Sequence, residues 1–141
     1  MDDPGVKRVE TVEVAAALIF RDGKLLITQR YPDAHLGGLW EFPGGKREPP
    51  ESFRDCLKRE LTEELAIEVQ IGELVEKISH AYPEKQVILE FYRCQWLRNE
   101  PQTLGCPDFC WVTRDLLRSY LFPEADAEIV SRLMRDESLW V

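Results

Sequence analysis

Between residues 51 and 65 a bulky apolar side chain returns at every fourth position: Phe53, Leu57, Leu61 and Leu65. That period matches one stripe of an α-helix and no strand. The Pro43-Gly44-Gly45 run before it argues against regular structure and lets backbone approach a ligand closely. Pro49-Pro50 suits the start of the helix. A strong helix set early among strand-like segments restricts the fold to a mixed sheet with helices packed on both faces.

The strand-like segments are distinct. From Thr11 to Phe20 the residues Val12, Val14, Ala16, Leu18 and Phe20 share one face and Glu13 lies on the other. Asp22-Gly23 is a hairpin turn signal, and Leu25 to Gln29 returns. Residues 31–38 form a loop, and Leu39 to Phe42 is a short apolar stretch. Val69 to Tyr82 and Gln86 to Trp96 read as strands around a Pro83 turn, followed by a loop over 97–108 and a short strand from Phe109 to Val112. Thr113 is placed to cap a brief helix through Tyr120. Pro123 opens a last helix with Ala127, Val130, Leu133 and Met134 at helical spacing. One domain over residues 1–141 is expected, with 1–9 frayed.

Charge and composition exclude several classes. With a net charge of −8, no large basic footprint for polymeric nucleic acid is expected. No apolar run reaches the ~20 residues of a membrane span, and the first residues lack the pattern of a signal peptide. A cytoplasmic protein is the expectation. The four cysteines, Cys56, Cys94, Cys106 and Cys110, have no second pair to complete a zinc site and are read as free thiols.

The chemistry concentrates in the helix. Glu60, Glu63 and Glu64 cover only about 100° of its arc. Three carboxylates that close repel one another, and hard oxygen ligands so grouped suit Mg²⁺, Mn²⁺ or Ca²⁺. A solvated charged face is the ordinary alternative. Two features favour a site: the Gly-Gly run upstream, and the position of the glutamates beside the apolar stripe rather than opposite it. Arg59 adjoins them and can hold a carboxylate through a bidentate pair.

Residues 45–67 resemble the signature of the Nudix hydrolases, G-x5-E-x7-R-E-U-x-E-E-x-G-U, with U a bulky aliphatic. Here it reads Gly45, Glu51, Arg59, Glu60, Leu61, Glu63, Glu64, Ala66, Ile67, so eight of nine specified positions match and Ala66 replaces glycine. Ile27 to Arg30, Asp33 to His35, Glu41 to Lys46 and Phe122-Pro123 resemble the MutT-type branch, which removes oxidised nucleotides from the pool. The resemblance implies an αβα sandwich with a mixed sheet. It also implies Mg²⁺, with Mn²⁺ as a substitute, on Glu60, Glu63 and Glu64 and the Gly44 carbonyl. Glu51 and Arg59 support that site. The implied reaction cuts a nucleoside triphosphate to a monophosphate and pyrophosphate, with 8-oxo-dGTP or a modified cytidine nucleotide as candidates, in a monomer or homodimer. Another nucleoside diphosphate derivative, such as ADP-ribose or a dinucleotide, is the second enzyme reading, and a non-catalytic base-recognition module the third. The intact Arg59-Glu60 and Glu63-Glu64 favour an enzyme.

By the same resemblance Arg30 stands where the branch contacts phosphate, and Phe42 and Tyr82 where it places aromatics near the base. A surface arginine, a core phenylalanine and a strand-end tyrosine are their plain alternatives. Asp126 aligns with a position that presents a side-chain amide to the base edge; otherwise it is an acid in the first turn of the last helix. His35 is expected to shape its loop. One departure stands out: Leu104 occupies the position of a further acidic residue, and leucine cannot ligate metal. Asp108, Glu100 and Glu124 are its possible substitutes.

Overall fold

The computed structural model describes residues 9–141, so the expectation of fraying over 1–9 falls, but for Val9, outside the described residues. Seven strands form one mixed sheet: β1 (Glu10–Arg21), β2 (Lys24–Gln29), β3 (Trp40–Glu41), β4 (Gly44–Lys46), β5 (Glu68–Ala81), β6 (Lys85–Arg98) and β7 (Phe109–Val112). The main order is β3-β2-β1-β6-β5, with β4 joined to β1 and β7 to β2. The two helices are α1 (Phe53–Leu65) and α2 (Ala127–Arg135).

The central strand β1 is buried on both faces rather than one. Ala16, Leu18 and Phe20 pack with Ile129 and Leu133 of α2, while Ala15, Ala17 and Ile19 pack with Leu57, Leu61 and Leu65 of α1. The small side chains of Ala15 and Ala17 let α1 lie close to the sheet. Removing each α1 leucine from water contributes about 1.5–3 kcal/mol, which is what holds the glutamate helix in place. The expected helix–sheet–helix sandwich is the observed one.

Four local readings are corrected by the structure. Gly44 and Gly45 do not break regular structure; with Lys46 they form β4, antiparallel to β1, with Ala16 opposite Gly44 and Ala15 opposite Gly45. The strand approaches so closely that a Cβ on Gly44 would overlap the Ala15 carbonyl. Helix α1 begins at Phe53 rather than Glu51, because Ser52 is its N-cap and accepts from the Asp55 amide at 3.0 Å. Glu51 is thereby left outside the helix. Residues Arg114–Ser119 form a 3₁₀ helix in which Thr113 makes no side-chain cap. After Pro123 the chain takes one 3₁₀ turn, Glu124–Asp126, before α2 starts at Ala127.

Strand β1 changes partner along its length. Val14 to Ala16 pair with β4, whereas Phe20 and Arg21 pair with β2. On its other edge β1 stays parallel to β6 from Glu10 to Phe20, and Val12, Val14 and Ala16 line the candidate site.

Candidate active site

The leucine stripe of α1 faces the sheet and brings Glu60 and Glu64 to the edge beside β4. A Cβ on Gly45 would overlap the Glu60 carboxylate, so the bare glycine backbone is what gives that carboxylate room. Glu64 is fixed from the other side by a loop about forty residues downstream. The Leu104 and Gly105 amides both donate to the Glu64 carbonyl, at 3.1 and 3.0 Å, and the Gln102 amide donates to the Leu65 carbonyl at 2.9 Å. A Cβ on Gly105 would come within 2.7 Å of Glu64 Cγ. The helix then ends on Ala66 in the left-handed region, at φ 56°. Alanine bears that conformation in place of the signature glycine at a cost of about 1–2 kcal/mol.

Arg59 organises the carboxylates. Its guanidinium forks onto Glu51, donating Nε to Oε2 at 3.0 Å and Nη2 to Oε1 at 2.7 Å. Nη1 donates to Glu60 Oε1 at 2.9 Å and to Glu63 Oε2 at 3.2 Å. The Arg59 fork, followed by the Glu48 amide, holds the Glu51 carboxyl down at about 2. Burial drives the Glu64 carboxyl in the opposite direction, well above the ordinary carboxylate range, with added repulsion from Glu60, Glu41 and Glu63. Crowded, desolvated carboxylates of this kind favour either a proton or a cation.

Glu60 and Glu64 line a cleft of about 500 Å³ together with Arg30, Glu41, Tyr82 and Asp126. Glu63 does not line it: its side chain is 59% exposed and turns to Arg59. Among the described residues no three His, Cys, Asp or Glu side chains converge as a ready cage. Gly44 lines the cleft beside Glu60, as the sequence reading requires of a backbone ligand.

In the same cleft Arg30 donates Nη1 to Glu41 Oε2 at 2.7 Å and Nε to the His35 carbonyl at 2.6 Å. Burial raises the Glu41 carboxyl, and Arg30 opposes the shift. Asp126 is 8% exposed and raised to about 7, chiefly by burial and next by the charge of Glu41, against the pull of Arg30. It stands at the N-cap of α2 but makes no capping hydrogen bond. The aromatics differ in availability. Phe42 is 5% exposed, with one ring face stacked on Phe122 at 5.1 Å and its edge region against Phe91. Tyr82 stands at the cleft between His80, at 4.6 Å, and His35, at 6.4 Å between ring centroids.

Leu104 is 56% exposed, with its amide on the Glu64 carbonyl, so the position of the missing acid does adjoin the glutamate helix. Of its proposed substitutes, Glu100 pairs with Arg21 at 2.8 Å and Asp108 accepts from the Phe109 amide at 2.8 Å. Glu124 lies in the 3₁₀ turn before α2. None of the three lines the cleft. The sequence reading assigned no role to Glu41 or Gly105. Glu41 carried two signs, a charge inside the short apolar stretch 39–42 and its place in the run Glu41 to Lys46 that resembles the MutT-type branch; Gly105 carried none.

The fold and this carboxylate helix define an α/β sandwich with an acidic cleft between the helix and the sheet. A family model described as the NUDIX domain matches residues 14–132. The 8-oxo-dGTP diphosphatase of Haemophilus influenzae is 33% identical over 126 residues, covering 89% of this chain and 93% of that protein. The CTP pyrophosphohydrolase of Escherichia coli is 55% identical over 67 residues, a match spanning 48% of this chain and 50% of that protein. The solution structure of the Escherichia coli ORF135 protein superposes with a TM-score of 0.76 at 34% identity, covering 89% of this chain and 90% of that one. The crystal structure of the MutT protein from Methanosarcina mazei, at 22% identity and a TM-score of 0.81, shares the fold. The chain belongs to the Nudix family, in its MutT-type branch. No helix among the described residues is long and apolar enough to cross a membrane.

Proposed function

We propose that this chain is a Mg²⁺-dependent pyrophosphohydrolase of a non-standard or oxidised nucleoside triphosphate, releasing the monophosphate and pyrophosphate. The observation that carries the reading is a single cleft lined by Glu60, Glu64, Arg30, Glu41 and Asp126. Hydrolases of this family use a divalent metal. The residues fit one: Glu60 lies in a glycine cradle, and Glu64 is desolvated and repelled by its neighbours. Glu60 and Glu64 would hold the ion with the Gly44 carbonyl, and Glu63 would join by turning from Arg59. A divalent ion there would neutralise phosphate charge and activate the attacking water. Mn²⁺ would serve as a substitute.

The protein residues divide the remaining work. Arg59 and Glu51 orient Glu60. Arg30 offers charge to the phosphates, held ready by Glu41 and the His35 carbonyl. Tyr82 packs against the base, and Phe42 walls the pocket. Asp126, nearly dry and poised near neutrality, reads the Watson–Crick edge. Its protonated form donates to N3 of cytosine and accepts from the 4-amino group. The partial match to a CTP pyrophosphohydrolase supports a cytidine nucleotide beside 8-oxo-dGTP as candidates. The activity is assigned to one domain over 1–141, cytoplasmic, a monomer or homodimer, with no polymeric nucleic acid partner.

The test is a screen of pyrophosphate release over standard and modified nucleoside triphosphates with Mg²⁺. Release from a modified nucleotide, abolished by chelator, is the expected result. A protein that binds the metal yet releases nothing from any triphosphate would overturn the reading.

A further inference from the structure

The segment 47–52, between β4 and α1, carries Glu51 but has no helix or strand of its own to fix it. An arginine at an unspecified position of the family signature does so. Because Val14 pairs with Lys46 across β1 and β4, Arg47 falls opposite Glu13. The Arg47 amide donates to the Glu13 carbonyl at 2.8 Å. Its side chain then forks onto the Glu13 carboxylate, with Nε to Oε2 at 3.1 Å and Nη2 to Oε1 at 2.9 Å. The third nitrogen, Nη1, donates to the Glu51 carbonyl at 2.9 Å. The Phe53 ring lies 5.4 Å from the guanidinium carbon. All five N–H directions of a guanidinium are set by one plane, so this fork ties the Glu51 backbone to β1.

From Glu51 the connection continues to the site. The Glu51 carboxylate takes the Arg59 fork, and Arg59 Nη1 reaches Glu60 at 2.9 Å. The chain of contacts is Glu13, Arg47, Glu51, Arg59, Glu60, alternating in charge and running from the central strand to the carboxylate in the Gly45 cradle. We propose that Glu13 and Arg47 are positioning residues for the metal-holding carboxylates, acting through Glu51 and Arg59. The proposal rests on the function assigned above. Both side chains are partly exposed, and such pairs add little to global stability. Their effect should therefore appear in the geometry of Glu60 rather than in the melting temperature.

The experiment titrates Mn²⁺ into the wild type and into Arg47→Ala, Arg47→Lys and Glu13→Gln, following free Mn²⁺ by electron paramagnetic resonance. It is paired with kcat and KM at saturating Mg²⁺. Arg47→Ala is expected to weaken Mn²⁺ binding about tenfold and to lower kcat about tenfold, with KM changed less than about twofold. Arg47→Lys keeps the charge but loses the fork, so it should recover only part of the loss. Glu13→Gln keeps one acceptor oxygen and should fall between the wild type and Arg47→Ala. Wild-type Mn²⁺ affinity in Arg47→Ala would overturn the proposal, whatever happens to its melting temperature. Should that variant fail to fold, wild-type affinity in both Arg47→Lys and Glu13→Gln would do the same. A wild type that binds Mn²⁺ but hydrolyses no triphosphate sinks the assigned function while the binding series still decides the relay. A wild type that binds no Mn²⁺ sinks both.

Discussion

Asp126 should make base preference depend on pH, in a direction set by its surroundings. Burial and the Glu41 charge raise its carboxyl to about 7, from an ordinary value of 3.8. The neutral form therefore dominates below about pH 7 and the ionised form above it. Cytosine needs the neutral form, because its N3 only accepts and requires an O–H donor. Guanine retains a partner in the ionised form through N1–H and the 2-amino group, which both donate. Above the titration point the neutral fraction falls about tenfold per pH unit, so kcat/KM for a cytosine nucleotide relative to its guanine counterpart should fall about tenfold per unit. Below it the ratio should level off. Measuring the ratio cancels any pH dependence shared by both substrates, including that of the metal site. Asp126→Asn is neutral at every pH and should flatten the ratio across the same range. A ratio that does not change with pH in the wild type, or one that still changes in Asp126→Asn, would refute the reasoning and return Asp126 to a structural place at the start of α2.

The other predictions concern the carboxylate end. Glu60→Gln keeps the shape of the residue in the Gly45 cradle but removes its charge; kcat measured by pyrophosphate release should drop by at least about 100-fold, and wild-type turnover at saturating Mg²⁺ would mean the site is misplaced. Leu104→Glu adds an acid on a loop whose backbone already bonds to Glu64, so Mn²⁺ titration should show binding strengthened by up to about tenfold, with turnover at least equal to that of the parent. Unchanged affinity and rate would show that the position cannot reach the metal. Gly105→Ala puts a methyl within 2.7 Å of Glu64 Cγ and should weaken Mn²⁺ binding about tenfold, whereas wild-type affinity would show that the loop gives way instead.

What could be read from the sequence follows how local each determinant is. Helix α1 was legible because its stripe and its glutamates lie within one continuous segment, and periodicity reports a helix without knowledge of its partner. Its first turn was misplaced by two residues, since Pro49-Pro50 signals a start, whereas the hydrogen bond from the Asp55 amide to Ser52 Oγ sets it at Phe53. Strand β4 was not legible, because two glycines lack the side chains by which a strand is recognised. Their use appears only with β1 on one side and Glu60 on the other.

The two sides of the cleft differ in legibility for the same reason. The glutamate end is written in one helix, and a long spaced motif captures it. The side proposed to read the base is assembled from the close of β2, from β3, and from the turn before α2, so Arg30, Glu41 and Asp126 acquire meaning only through one another. Glu41 is tied to Arg30 because Gln29 pairs with Trp40 and Thr28 with Glu41, a register no single segment reveals. Asp126 is dry because α2 seats Ile129 and Leu133 on the sheet and carries the preceding turn over the pocket. That side of the cleft therefore depends on a few long-range contacts, and removing the charge of Arg30 or Glu41 would shift the protonation of Asp126.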